Sequence, residues 1–259
     1  MNVNTLIVAG TGIKFLSHLT IETKACIEKS DCVLYLLNNP AIRNWIKKNN
    51  NNSKSLEFLY NTSRTRNENY LSIARYVNDV LDKTTITCLI MYGHPVYLAD
   101  PSMYTINIAK KNGHEVYVLP GISSIDCLFA DLVIDPSTFG YQVYEATDFL
   151  IHQRKFDTSS HLIILQATMI GIKTNFQSHS QELGLEMLTK YLLKKYSEKH
   201  KIILYEAAQY PMMKPKLHEI NLIDLPNHRL PLLTTLYIPP ERLKKKNQLL
   251  VKILKEINI

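Results

Sequence analysis

Short apolar runs that alternate with helical segments limit what this chain can fold into more than any other feature of its sequence. Four of the runs have the character of buried strands, namely TLIVAG at 5–10, CVLYLL at 32–37, TITCLIMYG at 85–93 and HEVYVLP at 114–120. Helices are expected at 20–30, with Thr20 as the N-cap, and at 101–112. Strands that alternate with helices predict an α/β fold on a parallel sheet.

The second half of the chain carries further strand candidates around one long helix. These candidates are YQVYEA at 141–146, HLIILQA at 161–167, KIILYEAA at 201–208 and LLTTLYIPP at 232–240. The helix is expected at about 181–199. The Pro120-Gly121 turn separates the halves. We therefore expect an N-terminal α/β domain at 1–120 and a C-terminal α/β domain at 121–259.

Composition fits a cytoplasmic globular protein. The 259 residues are enough for one large or two small domains, and 46% of them are hydrophobic. No apolar run reaches the roughly 18 residues that a membrane span needs. The start, MNVNTLIVAG, lacks the basic segment of a signal peptide. We expect a cytoplasmic location and no membrane partner.

The formal net charge of +7 is compatible with an anionic partner such as RNA. The excess is partly local to ERLKKKNQLLVKILKEI at 241–257, which predicts an amphipathic helix with a solvated lysine face. No aromatic-rich basic motif accompanies it, so we expect no nucleic acid partner.

The cysteines show no paired metal-ligand spacing. They lie in apolar surroundings, at Cys26, Cys32, Cys88 and Cys127. Buried free thiols are therefore expected, and no metal site.

Two glycines follow the first predicted strand in AGTGIKFLSHLT. Gly10 and Gly12 lack the third glycine of the dinucleotide-binding spacing, which argues against NAD. A tight turn and a phosphate cradle both remain open at this point.

A second glycine turn, MYGHPVYLADPS, follows another predicted strand. Gly93 and Pro95 predict a sharp turn at the carboxyl end of the strand, where open α/β sheets bind ligands. Tyr92 and His94 are expected at this edge. The alternative is a structural turn with an internally hydrogen-bonded histidine.

A third turn, PGISSIDCLFADL, begins at Pro120-Gly121. Ser123 or Ser124 can cap the helix that follows, and Asp126 in its first turn suits the helix dipole. Asp131 lies too far along for that argument, so we expect it to hydrogen-bond in a buried or interface position.

Arg66 and Tyr70 lie four residues apart and therefore share one face of a helix. An apolar stripe continues that face through Ala74, Val77 and Leu81. Both side chains are expected to point inward. The spacing alone equally describes a core tyrosine beside an arginine whose charged head reaches solvent.

Several of these segments together resemble the tetrapyrrole methylase superfamily of S-adenosylmethionine-dependent enzymes. The segments are TLIVAGTGI, YGHPVYLADPS, LPGISSIDCLFADLVIDPSTFGYQVYEATDFL and LYIPP. They resemble more closely the borosin branch, the peptide-backbone α-N-methyltransferases. Tetrapyrrole methylases usually have an acid where this chain has His94, and that departure favours the borosin branch.

The resemblance implies S-adenosylmethionine as the cofactor, S-adenosylhomocysteine as its product, and a cofactor cleft between two α/β domains. The residues implied in cofactor binding are Gly10, Tyr92, His94, Pro95, Val96, Ser123, Ser124, Gln166, Tyr205, Leu233, Thr234 and Thr235. The borosin pattern further implies Arg66, Tyr70 and Tyr60 as catalytic residues. Where that pattern often has one more tyrosine, this chain has Glu57.

Methylation of a backbone amide is a demanding reaction, because the nitrogen lone pair is delocalised into the carbonyl. The transition state resembles an imidate, with negative charge on the carbonyl oxygen that a cation or a phenol can stabilise. A base must also take the amide proton. Our hypothesis is that Tyr70 handles the proton while Arg66 and Tyr60 polarise the amide.

The resemblance therefore implies an enzyme that methylates backbone amides of a precursor peptide. Fused borosins carry their substrate as a C-terminal tail, and this chain stops at Ile259 shortly after LYIPP. We accordingly expect the split form, with the peptide supplied in trans. The alternatives are a methyltransferase for a tetrapyrrole or another small molecule, and an inactive scaffold that binds a peptide.

A homodimer is also expected. The segment FADLVIDPSTFGYQVYEATDFL at 129–150 mixes apolar and aromatic residues with acids. An interface or a sheet edge tolerates that mixture better than a solvated loop does.

Overall fold

A computed structural model describes residues 3–172, 181–241 and 246–256. The described residues form two compact units. The first comprises 3–134, 172 and 206–216; the second comprises 135–171, 181–205, 217–241 and 246–256. The division into domains at 120 and 121 stays a prediction.

The first unit is built on a parallel sheet whose strands are those that the apolar runs predict, with one addition. They are β1 (Thr5–Gly10), β2 (Cys32–Leu36), β3 (Ser53–Ser55), β4 (Ile86–Met91) and β5 (Glu115–Leu119). The order is β3-β2-β4-β1-β5, and every pair runs parallel. The carboxyl ends of these strands therefore lie at one edge, together with the loops that follow them.

Five helices accompany this sheet within the described residues. They are α1 (Ile21–Lys29), α2 (Pro40–Asn49), α3 (Arg66–Leu81), α4 (Asp100–Lys111) and α5 (Ser124–Leu132), and a short 3-10 turn lies at Glu57–Leu59. The predicted N-cap is confirmed, because the side chain of Thr20 accepts a hydrogen bond from the backbone N–H of Thr23. At the start of α3, Thr65 and Glu68 form a capping box. Arg66 is thus the first residue of a firmly begun helix.

Both faces of the parallel sheet are buried. One face packs Leu6, Leu34 and Leu89 against α3 and α4, and the other packs Val33 and Ile90 against α1 and α2. Burial on both sides explains why the strands read as nearly continuous apolar runs. It also fixes α3 on the sheet, so that the side chains at its N-terminal end keep a constant place relative to the strand ends.

A second, mixed sheet has the order β6-β7-β10-β8-β9. Its strands are β6 (Tyr141–Glu145), β7 (His161–Leu165), β8 (Lys201–Glu206), β9 (Lys216–Asn221) and β10 (Thr235–Ile238). β6 and β7 are parallel, whereas β10 runs antiparallel to both β7 and β8. The helices of this region are α6 (Ala146–Ile151), α7 (Glu182–Leu192) and α8 (Gln248–Glu256). The α/β class is confirmed.

Two elements of this region depart from the sequence prediction. α7 ends at Leu192 rather than near 199. Beyond that point Tyr196 stacks on Phe156 with ring centroids 5.7 Å apart, and this contact takes the chain off the helix path. β9 was not predicted, because its sequence KLHEIN is mostly exposed at the edge of the sheet and lacks an apolar run.

Along the described part of the chain, the helices are all too short or too polar to cross a bilayer.

Candidate active site

Three turns meet at the carboxyl ends of the parallel strands. A side-chain carbon at Gly10 would overlap the carbonyl oxygen of Gly93, and one at Gly121 would lie 2.6 Å from the same oxygen. The backbones of Gly12 and Gly93 also hydrogen-bond to each other in both directions, at 3.2 and 3.1 Å. The turns thus pack main chain against main chain, and only glycine allows that approach.

The turn after β1 is closed by an imidazole. The Nδ1 atom of His18 accepts hydrogen bonds from the backbone N–H groups of Ile13 and Lys14, at 3.3 and 3.2 Å. A side chain at Gly12, where φ is +67°, would overlap the Cβ atom of His18. The N–H groups that could cradle a phosphate already have a partner, so the first glycine turn is a structural turn.

The imidazole of His18 must be unprotonated at Nδ1 to accept these bonds. Burial lowers the pKa of His18, and the positive charge of Lys14 acts in the same direction. The acids of α5, Asp131 and Asp126, act in the opposite direction. Asp131 is thus an electrostatic neighbour of the first glycine turn.

The turn before α5 is a capping box. The hydroxyl oxygen of Ser123 accepts from the backbone N–H groups of Ile125 and Asp126, both at 3.2 Å. In return, the carboxylate of Asp126 accepts from the backbone N–H of Ser123 at 2.6 Å. Ser123 rather than Ser124 is therefore the N-cap, and Asp126 serves the end of the helix.

The YGHP turn places Tyr92, His94, Pro95 and Val96 directly after β4. The Nδ1 atom of His94 accepts weakly from the backbone N–H of Val96, at 3.4 Å. Burial raises the pKa of Tyr92 to about 12, so its phenol keeps its proton at neutral pH.

A cleft of about 280 Å³ opens beside the ends of β2 and β4, within the first unit. Its lining residues are Leu36, Leu37, Asn38, Glu57, Tyr60, Tyr70, Met91, Tyr92, Tyr97, Leu98, Ala99 and Pro101. We call this space the tyrosine cleft. Four phenol groups reach a wall that is otherwise mostly apolar, an arrangement typical of a small-molecule or peptide site.

The three residues expected to be catalytic contact one another, two of them at the wall of this cleft. Arg66 donates from Nε to the phenol oxygen of Tyr70 at 3.3 Å. The rings of Tyr60 and Tyr70 meet edge to face, with centroids 6.5 Å apart and an angle of 85° between their planes. Tyr60 and Tyr70 line the cleft. The helical spacing therefore predicted the Arg66–Tyr70 contact correctly.

Burial raises the pKa of Tyr60 to about 12. The neighbouring Tyr70 and Glu57 add to that rise, while the positive charge of Arg66 opposes it. At neutral pH the Tyr60 hydroxyl therefore keeps its proton and can donate a hydrogen bond into the cleft. The guanidinium of Arg66 can stabilise negative charge that develops on the Tyr70 oxygen.

Glu57 also lines the cleft, but its charge is balanced. Arg43 of α2 forms an ion pair with its carboxylate and donates from Nε to the carbonyl oxygen of Leu37. The sequence did not point to Arg43, because the two partners lie on different elements and form no motif together. Glu57, which stands where the borosin pattern often has a tyrosine, therefore forms an ion pair with Arg43.

The remaining expected cofactor residues lie in the second unit. Gln166 follows β7 in the left-handed region, with φ of 55°, which is costly for a residue other than glycine. Tyr205 is fully buried on β8 and pairs with Thr235 on β10. Thr234 is buried, and its hydroxyl has no hydrogen-bond partner within the described ranges. Leu233 is 48% exposed.

The family of Tetrapyrrole (Corrin/Porphyrin) Methylases matches residues 5–216 of this sequence. The chain belongs to this family. A type I borosin cyclic peptide precursor with a methyltransferase from Coprinopsis marcescibilis is 31% identical over 98% of this chain and 66% of its own length. The methyltransferase and omphalotin A precursor of Omphalotus olearius is 32% identical over 94% of this chain and 59% of its own length.

The resemblance to borosin proteins is thereby confirmed, and the chain spans about three fifths of the length of these relatives. Among solved structures, a uroporphyrin-III-C-methyltransferase from Thermus thermophilus superposes with a TM-score of 0.65, covering 95% of this chain and 99% of its own at 16% identity. The precorrin-6Y methylase of Archaeoglobus fulgidus gives a TM-score of 0.59 over 93% and 100%, also at 16% identity. These likenesses establish the tetrapyrrole methylase fold.

The cofactor expected for this family is S-adenosylmethionine, and the residues present fit it. Its sulfonium and adenosine groups carry no phosphate, which agrees with a first glycine turn whose N–H groups are already paired with His18. The buried hydroxyl of Thr234 has no hydrogen-bond partner among the described residues, so it can donate to or accept from a polar group of a ligand. Among the described residues, no cluster of metal-ligating side chains is present.

Proposed function

We propose that the chain is an S-adenosylmethionine-dependent methyltransferase that methylates backbone amide nitrogens of a peptide. One observation carries the proposal: Tyr60 and Tyr70 face each other at one cleft, and Arg66 donates a hydrogen bond to Tyr70. The similarity to methyltransferases that are named with their cyclic peptide precursors supports the peptide as the substrate class.

The geometry suits the two demands of amide methylation. Tyr60, which keeps its proton, donates a hydrogen bond to the substrate carbonyl oxygen and stabilises the charge that collects there. Tyr70 first releases its own proton to solvent, and the guanidinium of Arg66 stabilises the phenolate; the phenolate then takes the proton from the amide nitrogen and returns to the neutral phenol. S-adenosylmethionine, when bound, supplies a methyl group on a positively charged sulfur that becomes a neutral thioether.

The residues proposed to hold the cofactor divide between the two units. The first unit carries Gly10, Tyr92, His94, Pro95, Val96, Ser123 and Ser124, and the second carries Gln166, Tyr205, Leu233, Thr234 and Thr235. In this proposal Gly10 lets the turns pack together at the strand ends beside the cofactor, and the tyrosine and threonine groups bond to the cofactor's polar atoms. These roles are tested by binding measurements on single variants.

We further propose that the peptide is supplied in trans and that the protein is a cytoplasmic homodimer. The exposed aromatic side chains of Phe139 and Tyr141, at 43% and 51%, support an interface near the edge strand β6. Trans delivery needs affinity beyond the reacting residues, because successive residues must pass one cleft. A leader segment that docks elsewhere would raise the effective concentration of the core peptide.

Co-expression of the chain with a candidate precursor peptide tests the substrate class. The expected result is a series of peptide masses that differ by about 14 Da, the change when N–H becomes N–CH₃. The full peptide should gain several methyl groups and its isolated core few or none. An unmodified peptide, together with turnover of a corrin or porphyrin intermediate by the same preparation, would assign the chain to small-molecule methylation instead.

A further inference from the structure

A fully buried amide on α3 holds the loop that carries Tyr60. The side-chain oxygen of Asn69 accepts from the backbone N–H of Asn61 at 2.9 Å, and its Nδ2 donates to the carbonyl oxygen of the same residue at 3.1 Å. Both ends of the side-chain amide are therefore used on one residue. This arrangement fixes the position and the orientation of the loop backbone, as pairing in a strand would.

The place of this double hydrogen bond relates it to the tyrosine cleft. Asn69 immediately precedes Tyr70, and Asn61 immediately follows Tyr60. The two bonds thus join the two residues that adjoin the facing tyrosines. The ring centroids of these tyrosines lie 6.5 Å apart. The backbone N–H groups of Leu59 and Tyr60 bond only three residues back, to Leu56 and Glu57, so these local bonds do not tie the loop to α3.

We propose that Asn69 is a positioning residue that holds the hydroxyl of Tyr60 at the tyrosine cleft, opposite Tyr70. The consequence for catalysis rests on the proposed function, whereas the placement of Tyr60 does not. Without Asn69, the N–H of Asn61 loses its partner and the carbonyl keeps only the local bond from the N–H of Arg64, so neither group ties the loop to the side chain of α3 any longer. Tyr60 would then donate to the substrate oxygen in only a fraction of the molecules.

The same helix provides a matched control. Asn78 is also buried, and its Nδ2 donates to the carbonyl oxygens of Ala74 at 2.8 Å and Thr105 at 3.3 Å. It ties α3 to α4 and does not line the cleft. Asn69→Leu and Asn78→Leu each remove a buried amide of equal size from α3. A merely structural role for Asn69 predicts that the two variants behave alike.

The first readout is kinetic. For Asn69→Leu we expect kcat for peptide methylation to fall at least tenfold, with the affinity for S-adenosylhomocysteine unchanged. Asn78→Leu should lose thermal stability but keep kcat within about twofold, because the cleft is intact. Asn69→Asp keeps the acceptor for the Asn61 N–H and loses the donor, so its kcat should lie between those of the wild type and Asn69→Leu.

The second readout needs no activity. With ¹³C-labelled tyrosine, the Tyr60 resonance is assigned by its loss in Tyr60→Phe, and its titration reports the pKa of about 12. In Asn69→Leu this value should fall toward the ordinary value of about 10, because the ring becomes solvated. Asn69→Asp serves the same measurement if the leucine variant does not fold. An unchanged Tyr60 titration in both Asn69 variants would overturn the proposal.

The two readouts separate the two ideas. If Tyr60 shifts in the Asn69 variants but the wild type methylates no peptide, the positioning role stands and the proposed function fails. If the wild type methylates peptide and Asn69→Leu matches Asn78→Leu in kcat, the proposed function stands and the positioning role is wrong.

Discussion

The chemistry of the tyrosine cleft depends on two tyrosines in unlike surroundings. Tyr60 is desolvated, which raises its pKa to about 12 and suits it to donate a proton without losing it. Tyr70 receives a hydrogen bond from the guanidinium of Arg66, which suits it to hold negative charge for a short time. In the proposed mechanism, these differences in burial and charge give the two tyrosines different roles.

Substitution of Tyr70 tests this division directly. Tyr70→Phe keeps the ring and removes the proton acceptor, so we expect peptide methylation to fall by about 10²- to 10⁴-fold, the range for loss of a general acid or base. Calorimetry with S-adenosylhomocysteine should show unchanged binding. Tyr76→Phe is the matched control, since Tyr76 lies on the same helix and accepts a hydrogen bond from Lys54 outside the cleft. Wild-type turnover in Tyr70→Phe would refute the assignment.

Because His18 closes the first glycine turn, we expect the stability of the fold to depend on pH. Because the folded state lowers the pKa of His18 below its usual 6.5, its stabilising contribution is complete above that value and is lost as the pH falls through the folded pKa. His161 shifts in the same direction through burial, so the wild type alone does not isolate His18. Thermal unfolding between about pH 7 and pH 5 should therefore be compared with a variant.

His18→Asn is the informative variant, because its side-chain oxygen can take the place of Nδ1 and does not titrate there. We expect a smaller loss of Tm on acidification than in the wild type, with cofactor affinity retained. His18→Leu should weaken S-adenosylhomocysteine binding at every pH. Parallel pH profiles for the wild type and His18→Asn would contradict this account of the turn.

The sequence predicted the contact between Arg66 and Tyr70 but not the residues that support the site. Arg66 and Tyr70 could be predicted because a spacing of four places two side chains on one helix face. His18, Arg43 and Asn69 bond mainly to backbone groups of turns that lie four to eight residues earlier in the chain. Such bonds depend on the path of the folded chain, and no local pattern of residue types announces them.

At the scale of elements, the site depends on turns that pack without side chains. The Gly93 carbonyl lies where side-chain carbons of Gly10 and Gly121 would be, so the turns after β1, β4 and β5 form one block of main chain. α3 is equally well defined, because its capping box begins it one residue before Arg66. The cleft therefore lies on fixed supports, which favours a constant geometry for catalysis.

Gly121→Ala tests the packing of the turns. The added carbon would lie 2.6 Å from the Gly93 oxygen, so the turns must separate. We expect a loss of roughly 1–3 kcal/mol in the free energy of unfolding, as for an overpacked site, and at least tenfold weaker S-adenosylhomocysteine binding. Gly113→Ala is the control, since its φ of +84° makes it strained but it meets no atom within 4 Å. Equal cofactor affinities in the two variants would contradict the role given to the turns.

The strands β1, β2 and β4 could be predicted because burial on both faces makes each of them an apolar run. The segment KKNNNNSK at 47–54 has the polar composition of an exposed loop, but the structure buries part of it and places part of it in a strand. Asn50 is buried and donates to the carbonyl oxygens of Ile27 and Ser30, while Ser53–Ser55 pairs with β2 as β3. Polar composition describes average exposure, whereas these residues are held by backbone partners supplied elsewhere in the fold.

At the scale of the whole molecule, the chain belongs to the tetrapyrrole methylase family and carries a cleft lined by four tyrosines. The expected homodimer would cover apolar side chains that the single chain exposes near β6, among them Phe139, Tyr141 and Ile151. Covering them would remove an edge strand from water, which proteins commonly achieve by pairing or by packing.

Light scattering tests the assembly. We expect a mass of twice 29.8 kDa at micromolar concentration. The double variant Phe139→Lys with Tyr141→Lys should shift the equilibrium toward the monomer, because charges would have to be buried at the interface. Leu183→Lys, which alters a residue exposed on α7, should leave the mass unchanged. A wild-type monomer of 29.8 kDa under the same conditions would refute the dimer.

The most direct test of the central claim is tandem mass spectrometry of a peptide incubated with purified protein and S-adenosylmethionine that carries a deuterated methyl group. We expect the deuterated methyl group on backbone nitrogens. Fragment ions that contain the amide but not the side chain identify that position. We expect this label with the wild type and with Tyr76→Phe, and its loss with Tyr70→Phe. Label confined to side chains or to a tetrapyrrole, or equal backbone labelling by Tyr70→Phe, would contradict the account.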